Sequence, residues 1–599
     1  MQKKGLHFSA LFFYFLASIL MTFPLILHFS SVMPGNGGDE YLMTWFFYEF
    51  YHSAFVLHAW PYYTHMVYYP HGAPLYITTS MPVNQAAAAV IYFFSKNWFL
   101  AFNIIFLISC VLNGYFAYLL ALDATESAPA SFIAGFIFAF SPILTEQARW
   151  GDLNIWSAYG LPLYIIFFNR MFKEPSAKNA LLAALGLFLA TYAGFYEYTA
   201  MLLAYSLFFI IYNYREIISA DAVIKGRYIK AASVMTGVFV LVSSVFLIPA
   251  IYYIYIMPGI VNYNPSLYWT EGYSSTVSAF FLPPFFDKIL LPFTLAAYFN
   301  PFYKILLRGA NSQDFLGYIP LVFFAAAVIY GFKSDKKIKF YTVSFLVFAL
   351  MSLSPLVHIV NNIRVFDPFV YIVDLLPVFK EVEESGRYMI PGFLFFGIVS
   401  AFGIKSFLGR FKTKAFYALI FLLIFLGTAA GYTSYPFEAV MNKIPGWVYV
   451  LKKDRSAGAV MYNPPLIAWG FPMYGQTVYR KPMAGGFVIR FGFHNLYKKY
   501  LPERLYEING IRYAGNGVNQ LILSKLGNPT DFKKNFKYFK RLGIRYIIIC
   551  KGCLQVEYGW SKKRAKNALN ALLRKHSDLT SVIYNGKKTL IIKFNYQLS

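Results

Sequence analysis

Residues 98–122, WFLAFNIIFLISCVLNGYFAYLLAL, form a run without a single charged side chain. A helix rises about 1.5 Å per residue, so a run of about 20 residues crosses the roughly 30 Å of hydrocarbon in a bilayer. Ten further segments of the 599-residue chain are also uncharged and apolar. They lie near residues 8–29, 129–145, 153–169, 180–195, 198–213, 232–254, 315–332, 340–357, 388–404 and 415–433. The sequence therefore predicts a polytopic α-helical membrane protein with about eleven transmembrane helices.

The overall composition supports the same class. Hydrophobic residues make up 58% of the chain and charged residues 13%, and the mean hydropathy of +0.49 is far from that of a water-soluble protein. The first segment follows Lys3 and Lys4 and so resembles a secretory signal peptide. It is longer than the apolar region of such a peptide and lacks a small-residue cleavage site. We therefore interpret it as a retained helix.

Lysine and arginine predict the orientation, because positively charged loops are enriched on the cytoplasmic side. With a cytoplasmic N-terminus, the inner links include four clusters of Lys and Arg, within residues 170–178, 215–230, 333–339 and 405–414. The short inner link at 123–128 lacks a cation, and the outer links are longer and sparse in cations. With eleven spans, the C-terminus then lies outside. We predict a multi-pass cell-membrane protein with its C-terminal domain on the external face.

The chain changes character near residue 436. Beyond it, strand-like segments such as IRYIIIC (544–550) and TSVIYNG (580–586) alternate with lysine-rich helical segments. We predict a transmembrane domain at 1–435, with a long first external loop at 30–97, and a soluble external α/β domain at 436–599. Asn585-Gly586, between the last two strands, predicts a β-hairpin.

The predicted external domain is basic, with 28 Lys and Arg against 7 Asp and Glu in residues 436–599. Such a surface suits anionic lipid headgroups or an anionic polymer, and it is equally typical of a solvated face. On this side of the membrane nucleic acid is not expected as a partner. Cys550 and Cys553 form a CxxC pattern that fits either a disulfide or two inert thiols, since zinc would need two further ligands.

The stretch PGNGGDEYLMTWFFYEF at residues 34–50 places two adjacent carboxylates, Asp39 and Glu40, in the first external loop. Carboxylates at the mouth of a membrane cavity are costly unless they are hydrated, paired or ligated, so both are candidates for function. Asp39 also follows a Gly-Gly turn, where backbone can approach a ligand closely. The alternative is that Asp39 is a structural N-cap. Trp45 and Trp60 fit interfacial anchoring.

These features resemble the GT-C superfamily of integral-membrane glycosyltransferases. The resemblance rests on an acidic pair in a long first external loop, on about eleven spans and on an external C-terminal domain. Within the superfamily, the chain resembles a YfhO-like branch of predicted polyprenyl-phosphate-sugar-dependent enzymes. The segments that carry this second resemblance are MVYYPHGAPLY (66–76), AFSPILTEQARWGDLNIW (139–156), LPVFKEVEESGRYMIPG (376–392), MYGQTVYRKPMAGGFVIR (473–490) and LGIRYIIICK (542–551).

The resemblance implies transfer of a sugar, with inversion, from a polyprenyl-phosphate donor to a glycan, lipid or protein acceptor on the external face. This fits the chain, because nucleotide sugars are not available outside the cytoplasm and the sequence has neither a DxD triplet nor a phosphate-binding glycine loop. The rival hypothesis is a lipid-linked glycan flippase or transporter. Transporters tend to contain internal repeats, and no convincing repeat is visible here.

The resemblance also assigns roles to individual residues. Asp39 becomes the general base, with Glu40 as a second acid that assists or replaces it. Asp152 is expected to orient the acceptor or to bind a metal, although GDLN at this point departs from the DxD-like pair of metal-binding relatives. Arg387 and Arg149 are expected to bind the lipid phosphate. The sequence leaves two points open: whether Mg²⁺ or Mn²⁺ takes part, and whether Arg387 is instead a membrane-edge anchor or a partner of Glu383 or Glu384.

The orientation can be tested by cysteine labelling of intact cells with a membrane-impermeant reagent. Cysteines introduced near residues 36, 152, 270 and 500 should react, whereas cysteines near 336 and 410 should not, because they lie in lysine-rich inner links. Labelling near residue 336 in intact cells would reverse the assignment of sides.

Overall fold

The computed structural model describes residues 2–253 except 71 and 77, residues 273–282, residues 314–486 with gaps, and residues 536, 539–551, 570 and 579–595. The gaps within 314–486 are residues 361–362, 367–368, 370, 372–374, 377, 380–381, 412, 433–435 and 464–469. The described chain is mostly helical and divides into two compact units. The first unit comprises residues 1–36, 81–244 and 264–440, and the second comprises residues 37–80, 245–263 and 441–599.

The helices follow the apolar segments of the sequence. In chain order they are α1 (Gln2–Met21), α2 (Asp39–Tyr51), α3 (Pro82–Ser95), α4 (Trp98–Thr125), α5 (Ala128–Ala139), α6 (Pro142–Trp150), α7 (Leu153–Trp156), α8 (Gly160–Lys173), α9 (Ala177–Leu189), α10 (Glu197–Tyr212), α11 (Tyr214–Ser219), α12 (Ala222–Ile251), α13 (Tyr318–Gly331), α14 (Lys336–Ser352), α15 (Met389–Leu408), α16 (Lys414–Tyr432), α17 (Gly446–Lys453) and α18 (Phe471–Tyr479).

The strands are short. They are β1 (Val32–Pro34), β2 (Tyr63–Thr64), β3 (Ala73–Pro74), β4 (Leu356–Val360), β5 (Ile363–Phe366), β6 (Ala439–Met441), β7 (Ala459–Asn463), β8 (Ile544–Cys550), β9 (Thr580–Asn585) and β10 (Thr589–Phe594).

Polar caps determine where several of the long helices begin. The Asn97 side chain accepts hydrogen bonds from the N–H groups of Phe99 and Leu100, which starts α4. Ser176 caps α9 and Asp335 caps α14 in the same way. These caps satisfy N–H groups that have no partner within the helix, and each typically contributes about 1 kcal/mol.

In the described part of the chain, six helical segments are long and apolar enough to cross a membrane. They are Trp98–Thr125, Ala128–Trp150, Ala177–Gly194, Ala222–Ile251, Ser385–Leu408 and Lys414–Tyr432, and three shorter apolar helices span Gly5–Met21, Glu197–Tyr212 and Tyr318–Gly331. Each of the eleven segments that the sequence predicts contains a helix. A multi-pass membrane protein is therefore confirmed in outline, and the number of crossings stays a prediction.

The first unit has a buried centre and an apolar exterior. In an 18-residue stretch of Ser385–Leu408, 83% of the residues are buried, and the share is the same in Ala128–Trp150, whereas in Ala222–Ile251 it is only 11%. Helix α1 packs closely against α4 and α5, because the Tyr14 ring occupies the space that a Cβ atom on Gly114 or Gly135 would need. An apolar exterior of this kind is what contact with lipid permits.

The second unit is built on a mixed sheet with the strand order β7-β8-β10-β9. Strands β7 and β8 are parallel, while β10 is antiparallel to both β8 and β9. The hairpin predicted at Asn585-Gly586 is confirmed, since it joins β9 to β10. The expectation of a small α/β structure in the C-terminal region is thus correct in outline.

Residues of the loop that the sequence predicts to be external extend this sheet. The N–H of Val460 in β7 donates to the C=O of Pro482, and the N–H of Ala484 donates back to Val460. On the other side of residues 482–484, the N–H of Met483 donates to the C=O of Met66, and the N–H of Tyr69 donates to the C=O of Met483. Residues 37–80 thus share a compact unit with residues 441–599. The domain boundary at 435/436 stays a prediction.

Helix α2 is held to α18 by one buried amide. The indole N–H of Trp45 donates to Gln476 Oε1 at 2.8 Å, and Gln476 Nε2 donates to the carbonyls of Met66 at 2.7 Å and Lys481 at 3.0 Å. Trp45 and Gln476 are both fully buried. The interfacial role expected for Trp45 is therefore wrong, because its N–H is already paired within the protein. Trp60 is 51% exposed, as an interfacial residue would be.

Replacing Gln476 with Glu should destabilise the second unit. The new carboxylate keeps the shape of the amide but loses both N–H donors and faces two carbonyl oxygens, which we expect to cost about 2–4 kcal/mol. The measurement is the thermal unfolding midpoint of the purified protein, and Thr477→Ser on the same helix serves as control. Equal midpoints for the two variants would show that the amide does not hold α2 in place.

Candidate active site

The glycine turn before α2 determines how Asp39 is presented. Gly37 has a φ of +106°, a conformation that L side chains rarely adopt. Gly38 holds the N-cap position and has no side chain to offer, so Asp39 lies in the first turn of the helix and not at the cap. Its side chain is half-buried. A carboxylate is favoured here, since the helix N-terminus carries partial positive charge.

Glu40, the neighbouring acid, has the opposite environment. It is fully buried, and its carboxylate accepts the N–H of Gly37 at 2.7 Å and the N–H of Gly38 at 3.2 Å. Burial raises the pKa of Glu40 to about 7, although these hydrogen bonds favour the ionised form and pull the pKa down. The two adjacent carboxylates therefore differ in access, with only Asp39 partly open to solvent.

Arg387 lies at the centre of a charge cluster in the first unit. Its guanidinium pairs with Glu197 at 2.8 Å and with Glu384 at 3.0 Å, and Glu197 is fully buried at the start of α10. The Phe195 ring lies 5.7 Å from the guanidinium carbon. Of the sequence's alternatives for Arg387, pairing with Glu384 is thus observed.

Other groups complete this cluster. The backbone N–H of Glu383 donates to Glu197 at 3.1 Å, and the Tyr196 hydroxyl donates to the Glu383 carboxylate at 3.0 Å. Asp152 and Glu383 add to the negative charge that acts on Arg387. Burial raises the pKa of Glu384, and the Arg387 charge opposes that shift. Four carboxylates around one guanidinium make this a predominantly acidic environment.

Asp152 enters the cluster through a sharp turn. Gly151 ends α6 with a φ of +86°, and Asp152 then precedes α7 with a half-buried side chain. The Tyr198 hydroxyl, from α10, donates to the carbonyl of Ile155 and so joins α7 to the helix that carries Glu197. The structure therefore brings Asp152 together with Arg387, while Asp39 and Glu40 belong to the second unit.

Arg149 has a different set of partners. It pairs with Glu146 at 3.1 Å and with Glu438 at 2.9 Å. The side chain of Glu438 is 49% exposed, so water can take over its hydration if the pair opens. The buried Glu197 beside Arg387 has no such access.

Glu197 belongs to this cluster, although the sequence alone does not single it out. Its position within GFYEY makes it one of several acids on the predicted external side of the membrane. The available signal was its place at the start of an apolar helix, where a charged group must find a partner. That partner lies 190 positions away in the chain and could not be identified from the sequence.

No cluster of three or more His, Cys, Asp or Glu residues suited to hold a metal ion occurs in the ranges that the structure describes. The divalent metal that the resemblance allows stays a prediction. Cys550 is disulfide-bonded. Cys553 lies outside the described residues.

The role of Arg387 can be tested through its partner. Arg387→Ala should destabilise the protein by about 3–5 kcal/mol, because it leaves the buried Glu197 carboxylate without a counter-charge. Adding Glu197→Gln should recover most of that loss. Arg387→Lys should be intermediate, since an ammonium lacks the fork that reaches two carboxylates. The measurement is thermal unfolding, and native stability of Arg387→Ala would contradict the counter-ion role.

No family model and no curated protein sequence matches this chain. Solved structures do match it in fold. The mycobacterial arabinofuranosyltransferase AftD aligns with a TM-score of 0.55 at 12% identity, over 98% of this chain and 41% of that one. The oligosaccharyltransferase AglB from Archaeoglobus fulgidus, in complex with an inhibitory peptide and a dolichol-phosphate, aligns with a TM-score of 0.50 at 13% identity, over 97% and 73%.

These alignments show a likeness of fold. The chain is similar in architecture to GT-C membrane glycosyltransferases, as the sequence features predicted. It spans less than half of the arabinofuranosyltransferase. The narrower YfhO-like assignment stays a prediction.

Proposed function

We propose that this protein is an inverting membrane glycosyltransferase that moves a sugar from a polyprenyl-phosphate donor to an acceptor hydroxyl on the external face. The observation that carries the proposal is the half-buried Asp39, presented by a glycine turn at the start of α2. The fold supports it, since both similar structures are glycosyltransferases and one of them holds a dolichol-phosphate.

Asp39 is proposed as the general base. As the acceptor oxygen attacks the anomeric carbon, its proton passes to the Asp39 carboxylate and the bond to the donor phosphate breaks on the opposite face of the sugar. A base must reach its substrate and keep an accessible oxygen. Asp39 meets these conditions better than Glu40, because Asp39 is half-buried and Glu40 is fully buried.

Arg149 is a better candidate than Arg387 for binding the departing lipid phosphate. A guanidinium suits that role because it can grip two phosphate oxygens at once. For Arg149, phosphate would replace a carboxylate, Glu438, that is half-exposed and can rehydrate. For Arg387, phosphate would approach a guanidinium already surrounded by four carboxylates. We therefore assign Arg387 to the ordering of its own cluster.

Asp152 is proposed to orient the acceptor. Its half-buried carboxylate can accept hydrogen bonds from hydroxyl groups, and the backbone N–H of Asp152 donates to the carbonyl of Gln147 at 2.9 Å, which limits its movement.

The proposal predicts a specific effect of Asp39→Asn. Asparagine has nearly the same size but cannot take the acceptor's proton, so turnover should fall by about 10²-fold or more while folding and donor binding persist. The purified protein is incubated with a panel of polyprenyl-phosphate sugars, and transfer or hydrolysis is measured by mass spectrometry.

Asp123→Asn serves as the matched control, because Asp123 pairs with Arg170 and Lys173 in an inner link of the predicted topology. A structural role for Asp39 would give a different pattern, namely lower thermal stability and a nearly native rate. An Asp39→Asn protein that folds normally and turns over at the native rate would remove Asp39 from the mechanism.

A further inference from the structure

We propose that Glu40 is a positioning residue: it clamps the glycine turn so that Asp39 is held for proton removal, and it takes no part in proton transfer itself. The inference deepens the proposed function and rests on it. It replaces the expectation that Glu40 is a second acid able to assist or substitute for Asp39.

The first argument is access. Glu40 is fully buried, and each of its two carboxylate oxygens accepts a backbone N–H, from Gly37 and from Gly38. A substrate hydroxyl could reach either oxygen only if the turn opened. Asp39, one residue earlier, retains partial access to solvent. We therefore assign proton removal to Asp39, which faces outward, and the positioning of the turn to Glu40, which faces the backbone.

The second argument is what the clamp restrains. Gly37 and Gly38 directly precede Asp39, and glycine has the greatest backbone freedom of any residue. Without a restraint, rotation about these two residues would move the start of α2 and the Asp39 carboxylate with it. Hydrogen bonds to a charged acceptor are about twice as strong as neutral ones, so a single glutamate side chain can hold both residues.

The turn is also supported from its other side. Gly470 precedes α18 with a φ of +61°, and a Cβ atom placed there would lie 3.2 Å from the Gly38 oxygen and 3.6 Å from the Gly37 oxygen. In α2, the Tyr41 ring packs against Phe471 and Tyr474 of α18. The two glycines are thus confined between the Glu40 carboxylate and the backbone at Gly470.

The ionisation of Glu40 makes the clamp depend on pH. Burial raises the pKa of Glu40 to about 7. Below this pH the carboxyl group carries a proton, and only one of its oxygens then remains a good acceptor. The clamp is therefore complete above about pH 7 and weakens as the pH falls through that value. If turnover depends on the clamp, the rate should fall as the pH is lowered through about 7, which gives the pH–rate profile an acidic limb there.

The clamp can be tested without any substrate. Hydrogen–deuterium exchange of the peptide around residues 33–41 should be about tenfold faster in Glu40→Gln, because the side-chain amide can accept only one of the two glycine N–H groups. Glu49→Gln is the matched control. Glu49 is a fully buried glutamate on the same helix, and it is bonded to Ser53 and Thr64 instead of the turn. Unchanged exchange in Glu40→Gln overturns the clamp.

The role of Glu40 in catalysis is tested by its rate profile. Glu40→Gln should lower kcat by about tenfold with KM for the donor unchanged, and the limb near pH 7 should disappear, whereas Asp39→Asn should lower kcat by about 10²-fold or more at every pH. Gly470→Ala should also lower kcat by disturbing the turn without altering any ionisable group. If Glu40→Gln loses activity as completely as Asp39→Asn, Glu40 is itself an acid–base group and the inference fails.

The two proposals fail in different ways. If the native chain transfers no sugar from any donor in the panel, the proposed function is overturned, and the catalytic role of Glu40 falls with it. Faster exchange in Glu40→Gln would still establish the clamp in that case. If the native chain is active and Glu40→Gln keeps the native kcat and pH profile, the proposed function stands and the positioning role is overturned.

Discussion

The backbone hydrogen bonds that join residues 66–69 to Met483 are the constraint on which the second unit depends. They attach residues 66–69 to the edge of the sheet formed by β7, β8, β10 and β9. Once that attachment exists, Met66 presents its carbonyl to Gln476, and Gln476 in turn receives the Trp45 indole. The position of α2 therefore depends both on main-chain pairing, which places the Met66 carbonyl, and on the Gln476 side chain, which joins that carbonyl to the Trp45 indole.

The placement of α2 determines the environments of its first two acids. The side chain of Glu40 is fully buried and finds its partners in the glycine turn, while that of Asp39 stays partly open. Adjacent carboxylates in unlike surroundings can take unlike roles, since burial and hydrogen bonding set both the accessibility and the pKa of each group.

In the first unit, a buried carboxylate is likewise paired with a group that stabilises its charge. Glu197 is enclosed at the start of α10, where an ionised group without a partner would be strongly destabilising, and Arg387 provides that partner. The same guanidinium restrains Glu384, so one residue orders a cluster that includes Asp152. Arg149 pairs with Glu146 and with the half-exposed Glu438, whose carboxylate water can rehydrate if that pair opens.

Local sequence properties were sufficient for the membrane class, for a helix in each of the eleven apolar segments and for the hairpin at Asn585-Gly586. Hydrophobicity, capping and turn chemistry act over a few residues, so they can be recognised without knowledge of the fold. The pair Asp39 and Glu40 could likewise be singled out from its place after a glycine turn. Their separate environments, the burial of Trp45 and the pairing of Glu197 with Arg387 depended on contacts between residues far apart in the chain. Burial and ion pairing are set by those contacts, and no local pattern contains them, so only the folded structure could decide which of the two acids faces outward.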